Sequence, residues 1–253
     1  MARAAVLGRL TWLVATLVSS RKESLTARTL TFEVPGWLGH RPGQHVDVRL
    51  TAADGYSTQR SYSIASVWDP AAERALIDLT VEEVEEGEVS PFLVEVLSVG
   101  NPIELRGPVG GWFVWEPADP APTLLAAGGS GIVPLMAMLR ARRLAASTVP
   151  FRLVYSLRSP ISLMYADELA ALAADGSGLQ VEFVYTREAP SGWSGRVGRV
   201  RPDQLLTDVG GRPAESAFVC GPTGFVEAVA NVLADSALPG NRIKTERFGP
   251  TGG

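Results

Sequence analysis

The segment Arg60-Ser61-Tyr62-Ser63-Ile64-Ala65-Ser66 gathers a guanidinium, a phenol ring and several hydroxyls in one short run. On an extended strand its alternation sets Arg60, Tyr62 and Ile64 on one face and Ser61 and Ser63 on the other. A guanidinium there can fork onto a phosphate. Tyr62 can cover an aromatic ring face, and Ser63 can hydrogen-bond at a reacting centre. The same residues also describe an ordinary barrel strand with a surface arginine, and both readings stand on this segment alone. A second segment, Ala126-Ala127-Gly128-Gly129-Ser130-Gly131-Ile132-Val133-Pro134, lies where an apolar strand meets a helix. Glycines at such a turn let the backbone approach a pyrophosphate, whose charge rests on the helix N-terminal amides. Gly129 and Gly131 fill two positions of a Gly-x-Gly-x-x-Gly turn. Pro134 holds the third, where a first helical turn tolerates proline. A purely structural strand-to-helix turn fits these letters equally well.

The elements that carry these segments fall into two grammars. Residues 1–116 read as β-rich, with strands at Thr11–Ser20, Thr29–Val34, His45–Leu50, Arg60–Ile64, Leu76–Glu83 and Pro102–Arg106. Pro35-Gly36, Pro42-Gly43, Asp54-Gly55 and Asp69-Pro70 mark the turns. Short strands so spaced predict a sandwich or small barrel. The acidic stretch from Glu82 to Glu88 reads as a solvated strand end and loop. Residues 117–122, within Glu116-Pro117-Ala118-Asp119-Pro120-Ala121-Pro122, have the stiffness and polarity of a linker. Residues 123–253 alternate strand and helix. Strands are expected at Thr123–Ala127, Phe151–Ser156, Val181–Thr186, Ser216–Cys220 and Ile243–Phe248. Helices are expected at Ile132–Leu144, near Met164–Ala174, at Pro202–Leu206 and about Phe225–Ala234. That order predicts a mostly parallel sheet covered on both faces, with ligands at the carboxyl ends of its strands.

Composition narrows the classes. The chain has 253 residues and one cysteine, Cys220. That excludes an internal disulfide framework, and an iron–sulfur cluster held by this chain alone, which takes about four thiolates. Two histidines, His40 and His45, argue against a histidine-based metal site. The net charge of −4 offers no basic field for nucleic acid. Arginine outnumbers lysine 21 to 2, a bias against which any arginine site must be weighed. No apolar stretch is long and unbroken enough to span a membrane. Arg3 and Arg9 ahead of Leu10–Ala15 resemble a leader peptide, but Thr11 interrupts the run and no small-residue cleavage site follows, so a first strand is expected. A free thiol then suits the cytoplasm.

Arg-x-Tyr-Ser-x-x-Ser in a β domain resembles the flavin signature of the ferredoxin–NADP⁺ reductase family. Further segments resemble that family in the same order. Pro42-Gly43-Gln44 looks like its strand lead-in, and Gly87-Glu88-Val89-Ser90 like its flavin-phosphate turn. Gly107-Pro108-Val109-Gly110 with Phe113 looks like the segment before its linker. The Gly129–Pro134 turn and Cys220-Gly221-Pro222 look like its nicotinamide-domain signatures. The resemblance covers nearly the whole chain. It implies an N-terminal antiparallel, flavin-binding β-barrel and a C-terminal α/β nucleotide-binding domain with a parallel sheet.

By that resemblance Arg60 neutralises the flavin pyrophosphate, with the Gly87, Val89 and Ser90 turn holding the same phosphates. Ser61 belongs to the signature, Tyr62 flanks the isoalloxazine and Ser63 lies near flavin N5. Thr80 and Val81 meet the polar edge of the ring through backbone groups. Gly129, Gly131 and Pro134 hold the nicotinamide dinucleotide's pyrophosphate. Cys220, Gly221 and Pro222 end a strand beside the nicotinamide, where Cys220 orients the ring rather than acting as a nucleophile. Glu246 and Phe248 match in spacing the family's terminal carboxylate and ring-shielding aromatic. This chain runs five residues past that aromatic, so a plain core role for Phe248 also stands. Thr186 and Arg187, after a strand, suit the 2′-phosphate of NADPH, with Arg158 or Arg196 assisting; an acidic residue would favour NADH, and Glu188 follows at once.

FAD is expected in preference to FMN, and NADPH in preference to NADH. The absence of cluster cysteines implies a separate acceptor: a ferredoxin, an oxygenase component, a haem protein or a small molecule. A free-flavin reductase and a flavoprotein subunit docked on a partner are the alternatives.

Overall fold

A computed structural model describes residues 10–249. Its first sheet is built from β1 (Leu13–Lys22), β2 (Ala27–Glu33), β3 (His45–Thr51), β4 (Ser57–Ser63), β5 (Leu76–Glu82) and β6 (Pro102–Val109). All its pairings are antiparallel, in the order β4-β3-β6-β1-β2-β5. The end strands meet at one bridge, Ile64 to Leu79, which curls the sheet around its apolar face. That face holds Leu17, Leu30, Phe32, Val46, Val48, Ile77, Leu79 and Leu105. The inward residues alternate with polar ones along each strand, the period-2 pattern that fixes register when one face is buried. Phe92–Val96 forms a single wide helical turn that the sequence reading did not anticipate. Arg3 and Arg9 lie outside the described residues, and β1 begins at Leu13.

The second sheet contains β7 (Thr123–Gly128), β8 (Phe151–Leu157), β9 (Leu179–Tyr185), β10 (Ser216–Pro222) and β11 (Ile243–Phe248). Its order is β11-β10-β7-β8-β9, and every pairing is parallel. Strands β7 and β8 are buried along their whole length. Both faces are covered, so these strands read as apolar runs without alternation. Helices α1 (Ile132–Leu144) and α2 (Ala166–Ala174) pack on one face. The short α3 (Pro202–Leu205) and α4 (Thr223–Ala234) pack on the other.

The two sheets share a seam with its own core. Ala27, Ala65, Phe113 and Trp115 from the first half pack into the cluster of α1 and the second sheet. Polar contacts cross the seam too. Arg140 donates to the Ala65 carbonyl and grips Glu168 with two bonds. The Tyr165 hydroxyl donates to Thr80 Oγ1, and Glu23 accepts from the Tyr165 amide. Tyr165 adopts a left-handed backbone (φ 59°), which costs a non-glycine residue about 1–2 kcal/mol and which these contacts hold in place. The segment 117–122 is docked rather than free. Arg242 binds Asp119 through both carboxylate oxygens, and Ala121 is buried.

Among the described residues no helix is long and apolar enough to cross a membrane.

Candidate functional site

Two of the sequence motifs support each other directly. At Gly43 (φ 99°) an added Cβ would lie 1.9 Å from the Phe113 carbonyl, so only glycine lets this turn approach the seam. The next side chain, Gln44, accepts from the Arg41 amide and donates to the Gly110 carbonyl at 2.6 Å. The Pro42-Gly43-Gln44 turn therefore clamps the Gly107–Phe113 segment, and together they present His45 at the end of β3.

Four strands converge there. Ser63 of β4 is the cross-strand partner of His45. Cys220 of β10 is in register with Glu246 of β11. His45 Nδ1 lies 3.6 Å from Glu246 Oε1, which joins the two pairs across the seam. The distance is longer than a good hydrogen bond. The other carboxyl oxygen, Glu246 Oε2, is buried without a hydrogen-bond partner among the described residues. Burial pushes the Glu246 carboxyl up to about 7. Burial pushes His45 the opposite way, below its ordinary value, against the pull of Asp47. The Cys220 thiol is pushed well up by burial and by the Glu246 charge, so it stays protonated and is a poor nucleophile. The arrangement keeps His45 uncharged near neutrality and lets the Glu246 carboxyl take up or release a proton there, beside Ser63. His45 is a residue the sequence reading left without a role. Only its place after Gln44 pointed to it.

Phe248 ends β11 opposite Pro222 and is 37% exposed. It belongs to none of the buried clusters, which corrects the alternative reading of it as core. Of the residues beyond it, Pro250–Gly253 lie outside the described residues.

The arginine segment lies on β4. Arg60 is exposed, and its guanidinium approaches Glu88 at 3.7 Å. Tyr62 is half-buried against the first core, and burial pushes its phenol up to about 12. Ser61 faces the opposite side, where it donates to Asp47, itself paired with Arg106. In the Gly87–Ser90 turn, Val89 is buried and Ser90 Oγ accepts from the Val84 amide. A Cβ at Gly87 would meet that Ser90 hydroxyl at 2.9 Å. On β5, Thr80 Oγ1 is committed to Thr29 and Tyr165, while Val81 is fully buried. Beyond the Ile64–Leu79 bridge no strand among the described residues pairs with the outer edge of Thr80–Glu82, so backbone groups there remain available.

The glycine turn divides its labour. At Gly131 a Cβ would fall 2.1 Å from the Cys220 carbonyl, so this glycine exists for close packing of the turn on β10. Gly129 (φ 53°) has nothing within 4 Å of the equivalent position and faces open space. Helix α1 starts here without a side-chain cap and without an acidic residue in its first turn, and Pro134 is buried in that turn. Uncapped amides beside an open glycine suit an anion. Gly221 packs close to Gly128 and Phe225.

Arg158 and Arg187 leave the neighbouring ends of β8 and β9. Arg187 N donates to the Arg158 carbonyl at 3.0 Å, and Thr186 binds the Leu157 carbonyl through both its amide and its hydroxyl. The loop that follows returns when Gly198 N donates to the Tyr185 carbonyl. Trp193 packs edge-on against Tyr185. Arg196 lines a cavity of about 240 Å³ with Trp193 and Arg199 beside β9. Among the described residues Arg158, Arg187 and Arg196 are exposed and form no ion pair. Arg21, Arg41, Arg49, Arg74, Arg106, Arg140, Arg152, Arg201, Arg212 and Arg242 all have carboxylate partners.

These features fit a flavin and a nicotinamide dinucleotide: an uncapped helix start, an exposed arginine above a strand, and a buried orphan oxygen at the seam. Among the described residues no group of three or more His, Cys, Asp or Glu is placed to hold a metal.

The oxidoreductase FAD-binding domain family matches residues 14–114, and the oxidoreductase NAD-binding domain family matches residues 125–231. Over 242 residues the chain is 34% identical to ferredoxin–NADP reductase B of Sorangium cellulosum, covering 92% of this chain and 96% of that one. Over 235 residues it is 32% identical to a glycine betaine monooxygenase reductase subunit of Chromohalobacter salexigens, covering 91% of this chain and 62% of that one. It thus spans about three-fifths of that longer relative. The fold resembles that of a Neisseria gonorrhoeae ferredoxin NADP⁺ reductase with bound FAD and NADP, at a TM-score of 0.75 and 19% identity, covering 93% of this chain and 98% of that one. The chain belongs to the ferredoxin–NADP⁺ reductase-like superfamily and is an FAD-dependent NAD(P)H flavoprotein reductase.

Proposed function

We propose that the chain oxidises NADPH in preference to NADH and passes the electrons singly to a separate acceptor protein. The observation that carries the nucleotide choice is the set of uncommitted arginines. Arg158 and Arg187 stand side by side after β8 and β9 and, among the described residues, have no carboxylate partner, whereas most of the described arginines have one. A 2′-phosphate supplies the missing anion. Glu188 is exposed one residue on and opposes this. One acid beside the Arg158 and Arg187 guanidinium groups leaves the local balance positive.

When bound, a flavin supplies the hydride acceptor and the single-electron outlet. The chain's part is to position and protect. Tyr62 and Phe248 are proposed to bracket the ring. Ser63 is proposed to meet N5, and the His45–Glu246 pair to hold the proton that accompanies its reduction and reoxidation. Cys220, held neutral, packs beside the nicotinamide without attacking it. Gly129, Pro134 and the α1 amides take its pyrophosphate. For the acceptor, the names of the relatives support a ferredoxin, an oxygenase component or a haem protein such as a cytochrome b5. The test is steady-state turnover with each nucleotide against a panel of one-electron acceptors. A kcat/KM for NADPH at or below that for NADH overturns the nucleotide choice. Turnover of added free flavin alone overturns the protein acceptor.

A further inference from the structure

We propose that Tyr56 and Thr58 are further ligands of the flavin diphosphate, and that Glu88 is an internal anion seated on the same receptor, displaced when FAD binds. This rests on the flavin reading of Arg60. Thr58, Arg60 and Tyr62 stand at every second position along one face of β4, and Tyr56 directly precedes the strand at the same spacing. Tyr56, Thr58 and Arg60 converge on a single carboxylate. The Tyr56 hydroxyl donates to Glu88 Oε1 at 3.0 Å, and the Thr58 hydroxyl donates to Glu88 Oε2 at 3.1 Å. The Arg60 guanidinium lies 3.7 Å from Oε2 and donates to Thr58 Oγ1 at 3.4 Å. Two hydroxyls and a guanidinium on one anion make a receptor for oxyanions, and a phosphate presents the same acceptor atoms with more of them. Glu88 belongs to the Gly87–Ser90 turn, so the chain's own carboxylate sits where the diphosphate is expected. Both cannot occupy the donors together. Both Arg60 and Glu88 are more than half exposed, so the exchange disturbs no core.

Three consequences follow in sign. Removing the charge of Glu88 strengthens FAD binding, because a like charge at close range is lost and the donors are freed. Removing either hydroxyl weakens it. Riboflavin, which has no phosphate, responds to none of these changes.

The experiment is flavin release from holoprotein, loaded with FAD or with riboflavin, followed by recovery of flavin fluorescence on dilution. Glu88→Gln is expected to slow FAD release about three- to ten-fold, the effect of one unit charge near 4 Å in a solvated site. Tyr56→Phe and Thr58→Val are expected to speed it by a similar factor. Riboflavin release stays within about two-fold for all three, the scale of surface substitutions away from a contact. If Glu88→Gln leaves FAD release unchanged or speeds it, or if riboflavin shifts in parallel with FAD, the inference is overturned. A purely structural cluster would make all three variants loosen the flavin in the same direction. Arg60→Ala separates the levels. If it releases FAD selectively while Glu88→Gln fails, only this inference falls. If it changes neither flavin, the diphosphate reading of Arg60 falls and takes the inference with it.

Discussion

Replacing Glu246 with glutamine tests the buried pair at the seam. The side chain is 25% exposed, Oε2 has no partner among the described residues, and His45 Nδ1 stands 3.6 Å from Oε1. A carboxyl moved from its ordinary 4.5 to about 7 is stabilised as the neutral acid. The folded-state value is raised, so its contribution to stability is present in full below pH 4.5 and is lost as pH climbs through 7. At 1.36 kcal/mol per pH unit the full loss is about 3 kcal/mol. Residual solvent contact reduces that to about 1–3 kcal/mol. Glutamine is uncharged throughout and escapes this loss. Glu246→Gln should therefore match the parent near pH 4.5 and exceed it at pH 8. For a chain of this length, with about 2–4 °C in Tm per kcal/mol, the gap at pH 8 is about 2–12 °C. The assay is thermal unfolding of the flavin-free protein by circular dichroism at intervals from pH 4.5 to 8. A difference that stays constant with pH refutes the reasoning. A variant less stable than the parent near pH 6–7 also refutes it, since that marks a charged His45–Glu246 ion pair rather than a neutral one.

Other outcomes follow from the same geometry. Arg60→Ala should lower FAD content after gel filtration by at least about ten-fold, the scale of one charge-assisted contact; retained flavin would remove its phosphate role. Arg187→Ala should raise the KM for NADPH about ten-fold or more and leave that for NADH nearly unchanged; equal changes would remove the 2′-phosphate argument. Gly131→Ala places a methyl 2.1 Å from the Cys220 carbonyl and should cost more than about 3 kcal/mol in unfolding stability. Gly129→Ala meets only its backbone penalty of about 1–2 kcal/mol, so the two alanines should separate clearly in denaturant midpoint.

Local pattern carried most of the architecture. The short runs Thr123–Ala127 and Phe151–Ser156 read as strands from their length and their place between turns, and they lie in the middle of the parallel sheet, buried throughout. Alternation placed His45–Leu50 and Leu76–Glu83 within a residue of their observed ends. The Ile132–Leu144 helix matched residue for residue. Contacts across the seam were not legible. His45 and Glu246 are about two hundred residues apart, and nothing in their neighbours' periodicity says that β3 and β11 will face each other. The same holds for Tyr165, whose left-handed backbone depends on Thr80 and Glu23. The wide turn Phe92–Val96 was missed because its residues carry no capping or periodic signal. The close packing of Gly131 against the Cys220 carbonyl was not legible either, because the turn's own letters do not say which strand lies behind it, whereas Gly129 faces open space.

Anaerobic reduction of the FAD-loaded protein, followed by flavin absorbance in a stopped-flow instrument with NADPH and with NADH, tests the central claim most directly. Full bleaching is expected with NADPH at a lower nucleotide concentration than with NADH, followed by reoxidation by a one-electron acceptor. A protein that holds FAD but is bleached by neither nucleotide would contradict it.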